Sequence, residues 1–438
     1  MGLQGERTAK WYQRAAGVLV NGVSSQFRYW SDDDTLVADH GEGGHVIDMD
    51  GNRYIDYQLG FGPIILGHGD ESVASAVAEA AAAGTTFAMT QRREVEAAEK
   101  VMEALTWADA MRFTNTGTEA TMHAVRLARG LTGRDLVVKC EGMYHGGHDY
   151  LMFSTASAHP GELGPREHPE VVLSSKGIPP AIKDYIRTVP FNDLPLLGAL
   201  LEAEGDRVAA VVIEPMMGNA FGFMPDKGFL EGVRQLCDRH GALLIFDEVK
   251  TGFRMALGGA HEAFGVAPDI GTYAKAIGNG FPAAAIATTT AVAEGWASGG
   301  VFQAGTYSGN GSSAAAVRAT VDRLLTGEPL ARVEKVGTAL MEGIGRTISE
   351  HGVEGRVTGH PSMFSVFFGP GDPKEFRDTV RHDKQLYEDI CMRMIPRGVM
   401  PCPDALEPWF TCAAHTDDDV AKTLEVFEKS LGEALDAR

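Results

Sequence analysis

Two stretches decide how this chain is read: Leu243-Leu244-Ile245-Phe246-Asp247-Glu248-Val249 and Thr272-Tyr273-Ala274-Lys275-Ala276-Ile277-Gly278-Asn279-Gly280-Phe281-Pro282. The first is an apolar run ending in a carboxylate, the pattern of a strand buried on both faces. The second sets a lysine among small and apolar neighbours, with no acidic residue within five positions to neutralise it. Either alone has a bland reading, a strand-end cap or a surface lysine. Together they are the parts that pyridoxal phosphate chemistry requires. The lysine amine would form a Schiff base, and the aspartate would keep the pyridine nitrogen protonated so that the ring draws electrons.

Outward from these stretches, short apolar runs alternate with Ala- and Glu-rich segments of helical period. Strands are expected at Met111-Arg112-Phe113-Thr114, Leu136-Val137-Val138, Ala209-Ala210-Val211-Val212-Ile213 and 283–287, with helices over 71–83, 93–105, 119–129 and 228–240. That rhythm predicts an α/β fold on a mostly parallel sheet covered on both faces. His45-Val46-Ile47-Asp48-Met49 and Arg53-Tyr54-Ile55-Asp56-Tyr57 flank Asp50-Gly51-Asn52 as a hairpin. Asp48-Met49-Asp50-Gly51 lacks the further oxygen ligands and distal Glu of a calcium loop. Past residue 325 the pattern shifts to longer amphipathic helices and a strand at Met363-Phe364-Ser365-Val366-Phe367-Phe368. The expected division is therefore 1–69, an N-terminal segment contributing to a small domain and the substrate site, 70–324, a large cofactor-binding domain, and 325–438, a small α+β domain.

Charge excludes some partners. Among 438 residues, 39 Lys plus Arg stand against 59 Asp plus Glu, a net charge of −20 that argues against nucleic acid or an anionic membrane surface. No run approaches the ~18 apolar residues of a membrane span. The start lacks the apolar core of a signal peptide. Cys140, Cys237, Cys391, Cys402 and Cys412 show no paired spacing, so reduced thiols and a cytoplasmic location are expected.

Several polar segments follow strands, where ligands collect in α/β sheets. Asn115-Thr116-Gly117-Thr118-Glu119 opens a helix whose free N–H groups suit a phosphate, or simply a Thr cap. Gly142-Met143-Tyr144-His145-Gly146-Gly147-His148-Asp149 offers an aromatic to stack on a flat ring. A metal site from His145, His148 and Asp149 is the rival, but no further His or Cys cluster completes it and no metal is expected. Val212-Ile213-Glu214-Pro215-Met216-Met217-Gly218-Asn219 ends a strand with a carboxylate and an amide that suit cofactor oxygens or loop backbone. Phe302-Gln303-Ala304-Gly305-Thr306-Tyr307-Ser308-Gly309-Asn310 adds a polar, Gly-rich loop.

In this order, Gly117-Thr118-Glu119, Tyr144-His145-Gly146, Glu214-Pro215, Asp247-Glu248-Val249-Lys250-Thr251-Gly252-Phe253-Arg254, Lys275 and Gly305-Thr306 resemble the class-III pyridoxal phosphate aminotransferases. Within that class the likeness is nearest to the glutamate-1-semialdehyde aminomutase branch, from about Val20 to the C-terminus. It implies the aspartate-aminotransferase type of fold (fold type I) and a homodimer with shared active sites. It also implies roles. Lys275 would carry the cofactor and shuttle a proton; Asp247 would pair with the pyridinium. Val249 and Tyr144 would flank the ring, Gly117 and Thr118 would bind phosphate with Thr306 of a second copy, and Asn219 would reach the phenolic oxygen.

The same resemblance points to a substrate site. Gly22-Val23-Ser24-Ser25-Gln26-Phe27-Arg28 matches the segment whose arginine grips the substrate carboxylate, so Ser25 and Arg28 become candidates. Ala405-Leu406-Glu407-Pro408-Trp409-Phe410 matches the segment bearing an active-site glutamate, so Glu407 would meet a substrate amine. There are departures: Gly60-Phe61 replaces a Ser-Trp wall, 153–182 is a longer, proline-bearing gate region, and Asn279 and Phe281 alter the turn after Lys275. A loosened gate would favour transfer between two molecules over internal transfer. The leading expectation is thus an aminotransferase acting on a carboxylate-bearing amino acid, its amine possibly off the α-carbon, with a keto or aldehyde acceptor. The aminomutase is the alternative, and a racemase or epimerase on the same fold is a third.

Overall fold

The structure, a computed structural model, describes residues 2–298 and 300–438. The N-terminal hairpin forms as its alternation predicts, with β2 (His45–Asp48) antiparallel to β3 (Arg53–Asp56) and β1 (Ala38–Glu42) alongside β2. Asp48 Oδ1 accepts from the N–H groups of Asp50 and Asn52 and closes the turn. Gly51, at φ 88°, supplies the left-handed residue that this turn needs.

Seven strands make the central sheet: β4 (Ala110–Thr114), β5 (Leu136–Cys140), β6 (Ile186–Val189), β7 (Val208–Ile213), β8 (Leu243–Asp247), β9 (Ile270–Tyr273) and β10 (Ala284–Thr288). Their order is β4-β10-β9-β8-β7-β5-β6, and only β10 runs against its neighbours. Apolar runs without alternation are buried on both faces. Val211, Ile213, Leu244 and Phe246 join the core with Leu230, Val233 and Leu236 of the helix Phe229–His240. Ala210, Val212 and Ile245 share the other face with Ala120, Ala124 and Leu127 of the helix Gly117–Thr132. Each such Val, Leu or Ile contributes about 1.5–3 kcal/mol by burial.

Past the large sheet, β11 (Gly355–His360) and β12 (Met363–Phe368) form a hairpin extended by β14 (Trp409–Phe410). Between them in sequence, β13 (Val399–Met400) pairs in parallel with β3, tying the N-terminal hairpin to the C-terminal part of the chain. Helices Glu328–Glu350 and Asp417–Asp436 pack Leu340, Ile344, Phe427 and Leu431 into the core with Phe364 and Val366 of β12.

Two strands escape a reading by pattern. β6 and β9 are four residues long and carry Arg187-Thr188 and Gly271-Thr272, too polar to stand out. Neighbouring strands, rather than propensity, select them. The segment 153–182 has no helix or strand beyond short 3-10 turns. All five cysteines are buried free thiols. Among the described residues, no helix is long and apolar enough to cross a membrane.

Arg254, fully buried after β8, joins the separate layers. Its Nη1 donates to the carbonyls of Ser362 (3.0 Å) and Thr411 (2.8 Å), and its Nη2 to that of Gly62. Arg254→Met would strand three buried carbonyls. It is expected to lower stability by about 2–4 kcal/mol, read as a reduced urea midpoint at unchanged slope.

Candidate active site

A cleft of about 530 Å³ opens at the carboxyl ends of the parallel strands. Its walls are Gly117, Thr118, Thr121, Tyr144, His145, Gly146, Glu214, Asn219, Asp247, Val249, Lys250 and Lys275. Each follows a strand: Gly117 after β4, Tyr144 after β5, Glu214 after β7, Asp247 at the end of β8, and Lys275 after β9. That clustering is the expected crevice of a parallel sheet.

Lys275 sits at φ 52°, a left-handed conformation that costs a non-glycine residue about 1–3 kcal/mol. It opens the 3-10 turn Lys275–Gly278, which ends at Asn279. Asn279 Oδ1 accepts from Leu66 N (2.9 Å) and its Nδ2 donates to Gly67 O (3.1 Å). The amide therefore braces the lysine turn against the segment before it in the wall. Lys275 Nζ donates to Phe61 O at 2.9 Å. Phe61 itself belongs to a run of left-handed residues, Leu59, Gly60, Phe61 and Gly62, with φ of 44, 64, 69 and 102°. Burial, reinforced by the nearby Lys250 ammonium, pushes the Lys275 amine down to about 7.

Asp247 is held from three sides. His145 Nδ1 donates to Oδ2 (2.7 Å), while Val249 N (3.1 Å) and Thr272 Oγ1 (3.4 Å) donate to Oδ1. His145 is in turn fixed through its carbonyl, which accepts from Thr121 Oγ1. Glu214, almost fully buried, accepts at Oε1 from Tyr144 N (2.8 Å) and Asn219 Nδ2 (2.9 Å), and burial raises its carboxyl. Beneath the Tyr144 loop lies a second buried amine. Lys139 Nζ donates to Met143 O (2.7 Å) and Phe153 O (2.6 Å), and burial pushes it down to about 7. It ties the Tyr144 loop to the start of the 153–182 segment.

The anion end is shaped by backbone. Thr116 caps the helix Gly117–Thr132 by accepting from Glu119 N, leaving the Gly117 and Thr118 end facing the cleft. A Cβ at Gly146 would lie 2.6 Å from Thr118 Cα, so only glycine lets these two loops meet. Two buried polar atoms of cleft residues, His145 Nε2 and Glu214 Oε2, have no partner in the protein. A helix end, a fixed carboxylate, an aromatic and an uncharged-leaning lysine amine, with polar atoms left over for a ligand, fit pyridoxal phosphate.

Seven of the eight cofactor candidates, Gly117, Thr118, Tyr144, Asn219, Asp247, Val249 and Lys275, thus come together in one cleft. Thr306 does not: it stands exposed on its loop, outside the lining. Among the substrate candidates, Ser25 and Glu407 line an outer cleft that shares Tyr144 and Asn219 with the inner one. Phe61 faces it through Phe27, with ring centroids 5.8 Å apart, and Phe27 lies 6.4 Å from Tyr144. Arg28 is exposed and lines neither cleft. Thr155, Ala156, Ser157, Ser174 and Ser175, with Met152 just before them, place the edges of the gate region on the outer wall.

Sequence reading passes over Lys250. Its neighbour Glu248 looks like a local counter-ion, but Glu248 turns inward to Thr251 Oγ1 and the Ala260 and His261 N–H groups. The partner of Lys250 is Glu407, 2.7 Å away and 157 positions along the chain. The supporting contacts of His145 and Lys139 are hidden for the same reason: their partners are set by the fold.

Comparison with known proteins identifies the family. The chain matches the aminotransferase class-III family over residues 28–431 and belongs to that family, whose members are pyridoxal phosphate-dependent enzymes. It is 40% identical to the glutamate-1-semialdehyde 2,1-aminomutase of Methanothermobacter thermautotrophicus, over 96% of this chain and 97% of that one. Among solved structures, an omega-transaminase from Sphaerobacter thermophilus superposes with a TM-score of 0.93 at 29% identity, covering 99% of both chains. A glutamate-1-semialdehyde aminomutase from Pseudomonas aeruginosa in complex with PMP gives a TM-score of 0.88 at 27% identity, over 98% of this chain and 94% of that one.

The depressed Lys275 amine has a direct readout. In cofactor-stripped protein, acylation of Lys275 by acetic anhydride, followed by mass spectrometry, is expected to rise to half-maximum near pH 7, because the amine is neutral above that pH. Surface lysines should follow at about 10.4. A Lys275 midpoint above 9 would contradict the desolvated site.

Proposed function

We propose that this enzyme moves an amino group between two carbons of one carboxylate-bearing substrate, taking glutamate-1-semialdehyde to 5-aminolevulinate. The observation that carries the choice is the 40% identity to an aminomutase along nearly the whole of both chains. It favours the internal route over the two-molecule transamination that the gate region and Phe61 suggest on their own.

When bound, pyridoxal phosphate supplies an electron sink for bonds to the amine-bearing carbon. This chain's residues do the rest. Lys275 Nζ would hold the group and, with a proton affinity matched to neutral pH when free, would take and return a proton. Asp247, fixed by His145, Val249 and Thr272, would hold the ring nitrogen in its protonated form. Gly117 and Thr118 would hold the phosphate, Tyr144 and Val249 would flank the ring, and Asn219 would meet the phenolic oxygen, all from the lining of one cleft. Ser25, Phe61 and Glu407 would bound the substrate, while Arg28 stands outside both clefts of a single chain. The Phe61 carbonyl sets where the lysine amine rests.

A second copy of the chain completes the phosphate site through Thr306. Exposed Phe302 and Tyr307 on the Thr306 loop, with exposed Phe87 and Met89 on the segment tied to it through Thr86 and Gln91, support such an association, because large exposed apolar side chains call for cover.

Transamination between two molecules is the second reading. It is favoured by the Lys250–Glu407 ion pair, which occupies the glutamate expected to meet a substrate amine, and by the TM-score of 0.93 to an omega-transaminase.

Cofactor-loaded protein given glutamate-1-semialdehyde alone is expected to form 5-aminolevulinate, and Lys275→Ala to lower that rate by about 10²–10⁴-fold or more. Product that forms only after an amino donor is added would replace the internal route with the second reading.

A further inference from the structure

A carboxylate-bearing substrate needs a cation, and the cleft holds few. Among the described residues lining the inner cleft the cations are Lys250 and Lys275. Lys275 is committed to the cofactor. Among the described residues, the outer cleft has no lysine or arginine in its lining, and Arg28 is exposed outside both. Within one chain, and among the described residues lining its two clefts, Lys250 is therefore the cation left for a substrate acid.

Its setting suits the task. Lys250 is 7% exposed, and its Nζ donates to Gly218 O and to Glu407 Oε2, each at 2.7 Å. An ammonium has three N–H groups, so one remains. Gly218 lies on the loop between Glu214 and Asn219, which fixes Nζ relative to the inner wall. Glu407, 13% exposed, lines the outer cleft and comes from a turn closed by its own N–H to Asp404 O (3.1 Å). One carboxylate of the protein thus reaches from the entrance to the only uncommitted ammonium among the lining residues.

Resting on the site's reading as one for amines that carry a carboxylate, we propose that Lys250 binds the substrate carboxylate, and that Glu407 is an internal stand-in which that carboxylate displaces. The exchange keeps Lys250 paired throughout, so no buried ammonium is left alone. Glu407, once released, turns toward the outer cleft, where Asp404 also lines the wall. Moving toward a second carboxylate is unfavourable, so only a ligand able to replace Glu407 on Lys250 opens the pair. An amine without an acid group cannot.

The probe is butanoate, titrated calorimetrically into cofactor-loaded protein. Lys250→Met is expected to weaken its binding by about tenfold or more, the loss of a charge-assisted hydrogen bond. Lys250→Arg should keep it within a few-fold. Glu407→Gln should tighten it severalfold, because the internal competitor is gone. These opposite signs separate displacement from a structural ion pair, whose disruption from either side would weaken binding alike. A Glu407→Gln variant that binds butanoate no better than the parent overturns the proposal, as does loss of binding in Arg28→Ala with Lys250→Met unaffected. Because Glu407→Gln leaves Lys250 its Gly218 contact, it decides the matter even if Lys250→Met fails to fold. In turnover, the parent is expected to prefer 4-aminobutanoate to butylamine, and that preference should fall in Lys250→Met. The affinities are read without any product, so failure to form 5-aminolevulinate alone would remove the proposed reaction and leave this site standing.

Discussion

An amine placed out of water, with no carboxylate in contact, loses much of its hold on a proton, and the architecture around Lys275 is arranged to keep it there. The carbonyl of Phe61 is its hydrogen-bond acceptor, which orients the nitrogen without stabilising its charge as a carboxylate would. The left-handed lysine is tolerated because Asn279 ties the turn to Leu66 and Gly67. The carboxylates that could neutralise the amine are engaged elsewhere: Asp247 by His145, Glu407 by Lys250, Glu214 by Tyr144 and Asn219. Moving any of these partners would alter the lysine through the field it feels.

The outline of the fold was legible because parallel strands buried on both faces must be apolar throughout. β5, β7 and β8 and the helices between them announce themselves in this way. β6 and β9 did not. Hydrogen bonds to neighbours already in place hold Arg187-Thr188 and Gly271-Thr272 in the sheet, and no local preference records that. The antiparallel course of β10 was hidden too, since direction leaves no trace in an Ala-rich strand buried on both faces.

In the site, the residues that sequence pointed to share one property: they stand at the carboxyl end of a strand or in the loop that follows it, where a parallel sheet gathers its loops. Lys275, Asp247, Asn219, Tyr144 and the Gly117-Thr118 pair meet for that reason. What sequence concealed were the contacts across long separations. Lys250 looks neutralised by its neighbour Glu248 until folding turns that carboxylate away, and Asp247 shows no sign of His145, which arrives from another loop. Arg28 and Thr306 are the reverse case, suggested by resemblance and left by a single chain at its surface.

The left-handed run Leu59–Gly62 has an evolutionary consequence. Side chains branched at Cβ fit such backbone poorly, so Val, Ile and Thr are disfavoured at positions 59 and 61 whatever their size. Leu59 is further confined by its packing against Met216, Met363 and Phe410, so position 61, the one facing the cleft, can drift among aromatic side chains and those not branched at Cβ, from Leu or Met up to Trp. Descendants of this chain are therefore free to vary the bulk of that wall, but by a restricted alphabet. The restriction comes from the main chain, before any substrate has exerted selection.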